Sequence, residues 1–449
     1  MPPDPALRPP AGPGVTQPAR GRRRWPWPRR NTPEDIAERQ SLLRALPQWD
    51  AAHDFVWDWP RPPDEFAGMV EALTAHMVLP VSVVGPLRLS LGRYRLDEAD
   101  GSLVEVGRDV EEVYVPLAHT EGGLSASMQR GLAAVLEGGP IRTHVVRDRM
   151  TRDSCFLFRS TAEAVTFAGW VAANAAGMRR WLHDPANPLH GQRVGGVARL
   201  SRHARLWEVD THVLGPACHV LYRYTTGEAC GPNMITRNSF ALNAEFLAPR
   251  FLAETGIAPE RVLLESNMGG DKKPSAQYSI AGGHGKTVLA EVTVREETLR
   301  RVLRSTGRDL AALEHLGLHG SHASGMQSVA FTPASAIAAI FAATGQDLGM
   351  VGTSSMAHDV LEQVEGGVHL ATRFSGLEVG TVGGGTGLPH ARAFLNLMRC
   401  AGAGSAIRLA QIVAAAALAL ELSASASASL RGSENFATAH LRRSGRGAT

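Results

Sequence analysis

At 449 residues the chain is too long for one hydrophobic core and reads as roughly two or three domains. Apolar residues make up 44 % and charged residues 20 %, an ordinary globular balance, and the net charge of +3 gives no field that would argue for a nucleic acid or an acidic substrate. Four cysteines (Cys155, Cys218, Cys230, Cys400) are scattered with no metal-ligand spacing, which argues against a disulfide framework and fits a reducing cytoplasm.

Residues 1–31 are rich in Pro, Gly and Arg, with Arg20, Arg22, Arg23, Arg24, Arg29, Arg30 and the run Trp25-Pro26-Trp27-Pro28. Such a composition predicts a disordered basic arm, read as solvated rather than as a nucleic-acid or lipid contact. It has no apolar core of a secretory signal. Helical patterning starts at Thr32, the expected N-cap, with Pro33 in first position. Strands are predicted over 81–91 and 110–116, and a helix over 120–136. A separate unit follows: helix 161–183, strands 196–206 and 211–225, helix 233–255 and strand 261–265. That order suggests a small two-layer α/β sandwich. From 266 onward the chain is rich in Ala and Gly and is predicted to be mostly helical. Its longest apolar run, 412–422, contains Glu421 and is too short to span a bilayer.

Four places could carry chemistry. Glu121, in Thr120-Glu121-Gly122-Gly123, opens a predicted helix. A glutamate there can simply complement the helix dipole. That environment favours the ionised form, so a role as proton donor needs burial beside a second carboxylate, for which Asp347 is the candidate. Lys272 and Lys273 follow a glycine-rich turn at 267–270. They are either surface charge or, beside two acids, a cation able to stabilise an oxyanion as a carbonyl is reduced. His440 sits in a Ser/Ala/Arg-rich tail, either solvated or a proton donor on a mobile lid. The run Gly380-Thr381-Val382-Gly383-Gly384-Gly385-Thr386-Gly387 precedes a predicted helix and could be an anion-binding turn or a place of close backbone packing. It lacks the spacing of a Rossmann or P-loop site.

Taken in order, these segments resemble the hydroxymethylglutaryl-coenzyme A reductase family. The resemblance rests on Val81-Ser82-Val83-Val84-Gly85-Pro86-Leu87, the glutamate block at 120–131, Asp148-Arg149-Met150-Thr151-Arg152 and Ser201-Arg202-His203-Ala204-Arg205-Leu206. It continues through Thr226-Gly227-Glu228-Ala229-Cys230-Gly231-Pro232-Asn233-Met234, Asp271-Lys272-Lys273-Pro274, Gly345-Gln346-Asp347 and the 380–386 run, covering roughly 65–445. The DKKP and GTVGGGT forms look more like the eukaryotic and archaeal class.

The resemblance implies a two-step, four-electron reduction of a thioester to an alcohol with NADPH, NADH remaining open. It implies an α+β fold: a large, mostly helical substrate-binding domain (32–154 and 266–430) with an inserted ferredoxin-like cofactor-binding domain (155–265) and a mobile tail (431–449). It assigns the oxyanion cation to Lys272, the proton donor to Glu121, their tuning to Asp347 and protonation of the departing thiolate to His440. Arg152, Lys273 and Ser335 match substrate positions; Ser127 and Arg130 match coenzyme A contacts. Ser201, Arg202, Glu228, Ala229, Cys230, Gly231, Pro232, Asn233 and Met234 match the nicotinamide site. Family members build the active site across a dimer interface, so a homodimer or higher homo-oligomer is implied.

The chain also departs from the family pattern. His119 replaces a threonine, and Glu228, Cys230 and Pro232 interrupt the cofactor motif. Ser335 stands where a substrate-binding asparagine is expected, and a basic coenzyme A contact is missing near Leu316. Reduction of hydroxymethylglutaryl-CoA to mevalonate is the leading expectation. Reduction of another acyl-CoA and a catalytically silent binding paralogue are the alternatives.

Overall fold

The computed structural model describes residues 32–46, 50–58, 61–66, 69–429 and 437. The basic arm at 1–31 lies outside the described residues, as does the 431–449 tail apart from Ala437, and His440 with it. The chain divides into two compact units, Met1–Val78 and Leu79–Thr449.

In the first unit, Thr32 caps the helix Pro33–Arg44: its hydroxyl accepts from the Asp35 N–H at 3.2 Å, and Pro33 occupies the first turn. This is the expected start, because proline costs nothing where the N–H has no helical partner. Short 3-10 turns follow at Ala51–Trp57 and Pro63–Phe66.

Among the described residues, the second unit is built on a nine-stranded mixed sheet. Strands β1 (Val81–Leu96) and β2 (Leu103–Ala118) form a long antiparallel hairpin, and β3 (Ile141–Leu157) joins β1 in parallel. Two short strands, β4 (Arg193–Val194) and β5 (Val197–Ala198), make a separate ribbon. β6 (Arg205–Leu214), β7 (Ala217–Thr225), β8 (Arg261–Leu263), β9 (His284–Arg295), β10 (Ala357–Val364) and β11 (Gly367–Leu377) complete the set. The central path runs β10-β11-β9-β3-β1-β2.

β3 is the hinge of this layout. Residues 142–150 pair with β9, and residues 150–157 pair with β7, with 155–157 also pairing with β8. One 17-residue strand therefore serves two neighbourhoods. Each has its own apolar core. The first joins β1, β2, β3, β9 and β11 to the helices Leu124–Gly138, Pro333–Thr344 and Ala406–Ala428. The second gathers residues between Met150 and Phe251, among them Phe156, Phe158, Phe167, Phe246 and Phe251, from β3, the helix Thr161–His183, β6, β7 and the helical run 232–255.

Helix Thr161–His183 has the expected bounds, capped by Ser160. The following turn does not fall where the sequence suggests. The chain reverses at Gly215-Pro216, with Gly215 in the left-handed region at φ 60°, so β6 and β7 are an ordinary hairpin and not strands over 196–206 and 211–225. The larger difference lies beyond 266, where β9, β10 and β11 replace expected helix. β9 buries alternate residues such as Val288, Ala290, Val292 and Val294, a period-two pattern that its own β-branched residues carry.

Helix Ala406–Ala428 is long and apolar enough to cross a membrane, longer than the run 412–422 suggests. Of its most apolar window, 94 % is buried inside the protein. It packs on helix Leu124–Gly138 so closely that a Cβ on Gly131 would overlap the Ala419 carbonyl. Small residues on both faces bring the two backbones together.

Candidate active site

The loop after β8 is shaped by its backbone. Asn267 (φ 72°), Gly270 (φ 69°) and Lys272 (φ 59°) all take left-handed conformations. Gly270 is required, because a Cβ would collide with the Tyr278 hydroxyl, which donates to the Gly269 carbonyl at 2.8 Å. Lys272 has no such licence and holds a strained conformation worth about 1–2 kcal/mol. The turn, closed by the Lys273 N–H on the Gly270 carbonyl at 2.9 Å, sends Lys272 Nζ to Asp347 Oδ2 at 2.8 Å.

Asp347 is presented by a different segment. Gly345 (φ 68°) ends the helix Pro333–Thr344, and Asp347 caps the next 3-10 turn, its Oδ1 accepting from the Gly349 N–H at 2.9 Å. The Lys272 ammonium is held above its ordinary range by the hydrogen bond to Asp347, which outweighs partial burial. Burial pushes the Asp347 carboxyl up, but the bonds from Lys272 and the Gly349 N–H outweigh it and hold the group below its usual range. The pair is ionised and open to solvent, with the side chains 47 % and 46 % exposed.

The glycine run packs rather than presenting an open turn. Gln346 donates to the Gly380 carbonyl at 3.0 Å and accepts from the Gly380 N–H at 2.9 Å. The Thr381 and Val382 N–H groups donate to the Glu228 carbonyl at 2.8 and 3.2 Å, and a Cβ on Gly380 would lie 2.7 Å from Cys230 N. Segments 228–230 and 380–382 are thus stacked backbone to backbone, and the Gln346 side-chain amide ties 346–347 to them.

The other residues singled out by sequence fall into groups. Arg152 is nearly buried, with Nη1 donating to Glu265 at 2.6 Å and Nη2 to Asp271 at 3.1 Å, while Lys273 is exposed. Ser127 bonds Ser423 Oγ at 3.0 Å; Arg130 donates to Ser423 Oγ at 3.0 Å, to its carbonyl at 2.6 Å and to Ser427. Both therefore face the helix Ala406–Ala428. Burial, and Arg304 nearby, hold the Arg130 guanidinium below its ordinary range.

Glu121 is exposed and lies ahead of the helix, which begins only at Leu124 behind Gly123 (φ 98°). It is outside the helix's first turn, so the dipole reading loses its basis. Among the described residues it makes no ion pair or hydrogen bond with Lys272 or Asp347. Within one chain Lys272 and Asp347 are paired directly, and Glu121 is bonded to neither.

On the second core, Asn238 clamps the turn 201–204 by accepting from the Ser201 N–H at 2.8 Å and donating to the Ser201 and Ala204 carbonyls, leaving Arg202 exposed. Asn238 belongs to helix Pro232–Ala241, whose N-terminus carries Gly231 (φ 93°), the exposed Asn233 and the half-buried Met234. Ala229 and Cys230 are held by Thr226, whose hydroxyl bonds their carbonyls at 2.8 and 3.0 Å; burial pushes the Cys230 thiol up. The Glu228 carboxylate does not face open space. It accepts from the Ser405 and Ala406 N–H groups at 2.8 and 2.7 Å and caps helix Ala406–Ala428.

Sequence reasoning missed two buried acids. Glu421, 1 % exposed, accepts from the Phe331 and Thr332 N–H groups, each at 2.8 Å, and from the Thr332 hydroxyl at 2.6 Å. It therefore fixes the turn that starts the helix bearing the half-buried Ser335. Burial and the neighbouring Glu421 push the Asp359 carboxyl well above its usual range. The second acid is Glu378, fully buried, whose Oε2 lies 3.0 Å from His284 Nδ1. For Glu421, a glutamate inside an alanine-rich apolar run is itself the signal, since a buried charge must have partners.

The hydroxymethylglutaryl-coenzyme A reductase family model matches residues 35–444. A 3-hydroxy-3-methylglutaryl-coenzyme A reductase from Aeropyrum pernix is 35 % identical over 344 residues, covering 75 % of this chain and 73 % of that protein. One from Pyrococcus abyssi is 33 % identical, covering 78 % and 79 %. Among solved structures, the class II enzyme from Streptococcus pneumoniae bound to NADPH superposes with a TM-score of 0.61 at 17 % identity, covering 87 % of this chain and 96 % of that one. The likeness in fold spans both cores, and the likeness in sequence is stronger to the archaeal proteins. The chain belongs to the hydroxymethylglutaryl-coenzyme A reductase family.

Proposed function

We propose that this protein reduces (S)-3-hydroxy-3-methylglutaryl-CoA to mevalonate and free CoA with NADPH, and that the Lys272–Asp347 pair is its chemical centre. The observation that carries the reading is the 2.8 Å contact, made by a lysine in a left-handed turn and left half-exposed. An ammonium so held meets a developing oxyanion without reorganising. Asp347 keeps Lys272 charged and aimed. Glu121 supplies the proton to the reduced carbonyl, and His440, from the tail, protonates the thiolate that leaves.

NADPH supplies the hydrides when bound. The chain offers features that fit it: an exposed Arg202 for a phosphate, and a helix N-terminus at Gly231–Pro232 whose preceding loop is stacked through Gly380 onto Gln346-Asp347. We read 155–265 as an inserted ferredoxin-like cofactor module. Its separate aromatic core, reached through the far half of β3, supports that reading. Arg152 and Lys273 would take the substrate carboxylate, and Ser127 and Arg130 the coenzyme A. Arg130 would have to exchange its bonds to Ser423 and Ser427 to do so.

The exposed Glu121, bonded to neither member of the pair it should serve, supports a homodimer in which the partner copy delivers it. Co-expressed Glu121→Gln and Lys272→Ala chains then regain about a quarter of wild-type activity, because half the dimers are mixed and each mixed dimer has one intact site. Recovery of none places both residues in one chain.

The function is tested by following NADPH oxidation against CoA thiol release. Two NADPH per thiol are expected, and no oxidation with either nicotinamide rejects the proposal. A second reading keeps the chemistry and changes the acyl group, favoured by Ser335 and Thr332 in the altered 330–335 segment. A thioester panel compared by kcat/KM separates the two.

A further inference from the structure

We propose that His284, wedged between Glu378 and the Thr151 carbonyl, is a positioning residue that holds the Lys272–Asp347 pair and Arg152 in place, and that it does so as an imidazolium. The proposal rests on the assignment of chemistry to Lys272 and deepens it.

The geometry sets the protonation. His284 Nε2 lies 3.1 Å from the Thr151 carbonyl oxygen, which can only accept, so this nitrogen carries hydrogen. Nδ1 lies 3.0 Å from Glu378 Oε2, and Glu378 Oε1 is already bonded by the Thr353 hydroxyl. The pair therefore needs two protons, and with a carboxylate at Glu378 both sit on the ring. Both side chains are fully buried. Removing one proton leaves two acceptors facing each other in a fully buried place.

The ring sits where the site's segments meet. Thr151 precedes Arg152 on β3. The Glu378 N–H donates to Ser354 at 3.0 Å, and Thr353 and Ser354 belong to the short helix that follows the Asp347 turn. Glu378 is two residues before Gly380, which is bonded to Gln346. The Tyr278 ring lies 5.4 Å from the imidazole, and its hydroxyl fixes the loop that carries Lys272.

The charged groups around the ring are Glu378, Asp271, Arg152 and, through Arg152, Glu265. Asp271, His284 and Glu378 offer atoms within 4.8 Å of one another. An imidazolium there, with the Arg152 guanidinium, balances the acids without a bound cation. Burial lowers the His284 pKa, but the Glu378 charge and hydrogen bond, with Asp271, outweigh it and hold the group above its ordinary value. For a raised histidine the stabilisation is complete below the unfolded value of about 6.5 and is lost as pH rises through the folded pKa. The site should therefore loosen on the alkaline side.

The test uses the full-length enzyme. The pH dependence of kcat and KM is measured for wild type, His284→Gln and His284→Arg, alongside an NMR titration of His284 in wild type. The expected result is an alkaline fall in kcat that coincides with the His284 titration. His284→Gln loses about tenfold to a hundredfold in kcat, with a smaller change in KM, as misplacement of a catalytic group does. His284→Arg, which keeps the charge, recovers activity and moves the alkaline limb upward. If the arginine does not fold, the wild-type titration decides: a His284 that titrates at or below 6.5, or apart from the rate, overturns the proposal. A His284→Gln profile identical to wild type overturns it too. Failure of the underlying assignment reads differently, as an active Lys272→Ala enzyme.

Discussion

Two pairs of base and carboxylate lie close together in this fold, and they differ in nearly everything except their length. Lys272–Asp347 spans 2.8 Å and is about half-exposed on both sides; His284–Glu378 spans 3.0 Å and is wholly buried. An exposed pair contributes about 0–1 kcal/mol, because water and salt compete for both partners. For the same reason it can give up a partner to a substrate. A buried pair cannot, and leaving one member unmatched costs about 3–5 kcal/mol. On the proposed assignment, the protein keeps a weak, exchangeable pair where bonds are made and broken, and sets it on a pair that cannot be exchanged.

The largest expected effect comes from breaking the buried pair. Glu378→Ala should destabilise the protein by about 3–5 kcal/mol in denaturant unfolding, since it leaves His284 Nδ1 unmatched and removes the carboxylate that ties the Thr353 hydroxyl to the region behind Asp347. A loss under 1 kcal/mol would mean that the pair is not what secures this region.

A smaller effect of opposite sign is expected where the buried partners carry like charge. Burial and Glu421 raise the Asp359 carboxyl, so the folded state binds its proton more tightly than the unfolded state. Its favourable contribution is present below the unfolded value of about 3.9 and is lost as pH rises through the folded pKa. Asp359→Asn should therefore raise the unfolding midpoint at pH 7 by about 2 °C, a gain that vanishes near pH 4. The opposite sign would show that the two acids are already relieved at neutral pH.

The same contrast explains what the sequence reveals. Lys272 and Asp347 stand in short motifs, Asp271-Lys272-Lys273-Pro274 and Gly345-Gln346-Asp347, whose turn chemistry is local and therefore visible. Helix Thr161–His183 is legible for the same reason, with a serine cap and a continuous periodic face. His284, Glu378 and Glu421 are not, because their meaning lies in partners 89 to 133 residues away. The strands β9, β10 and β11 lie in a region whose overall alanine and glycine content suggests helix, although β9 itself carries β-branched Thr287, Val288, Val292, Thr293 and Val294; pairing with β3 and with one another decides the matter. Glu228 is a further case. Its place in the segment that resembles the family's cofactor motif is plain, but nothing local indicates that its carboxylate caps a helix 177 residues on.

On the proposed assignment the exposed pair is spent on chemistry and contributes little to the fold. This is tested most directly by measuring mevalonate formation by Lys272→Ala together with its unfolding free energy. The account predicts a loss of kcat on the order of 10²-fold or more with stability within about 1 kcal/mol of wild type. A variant that keeps most of its kcat, or one that loses activity only by unfolding, would contradict it.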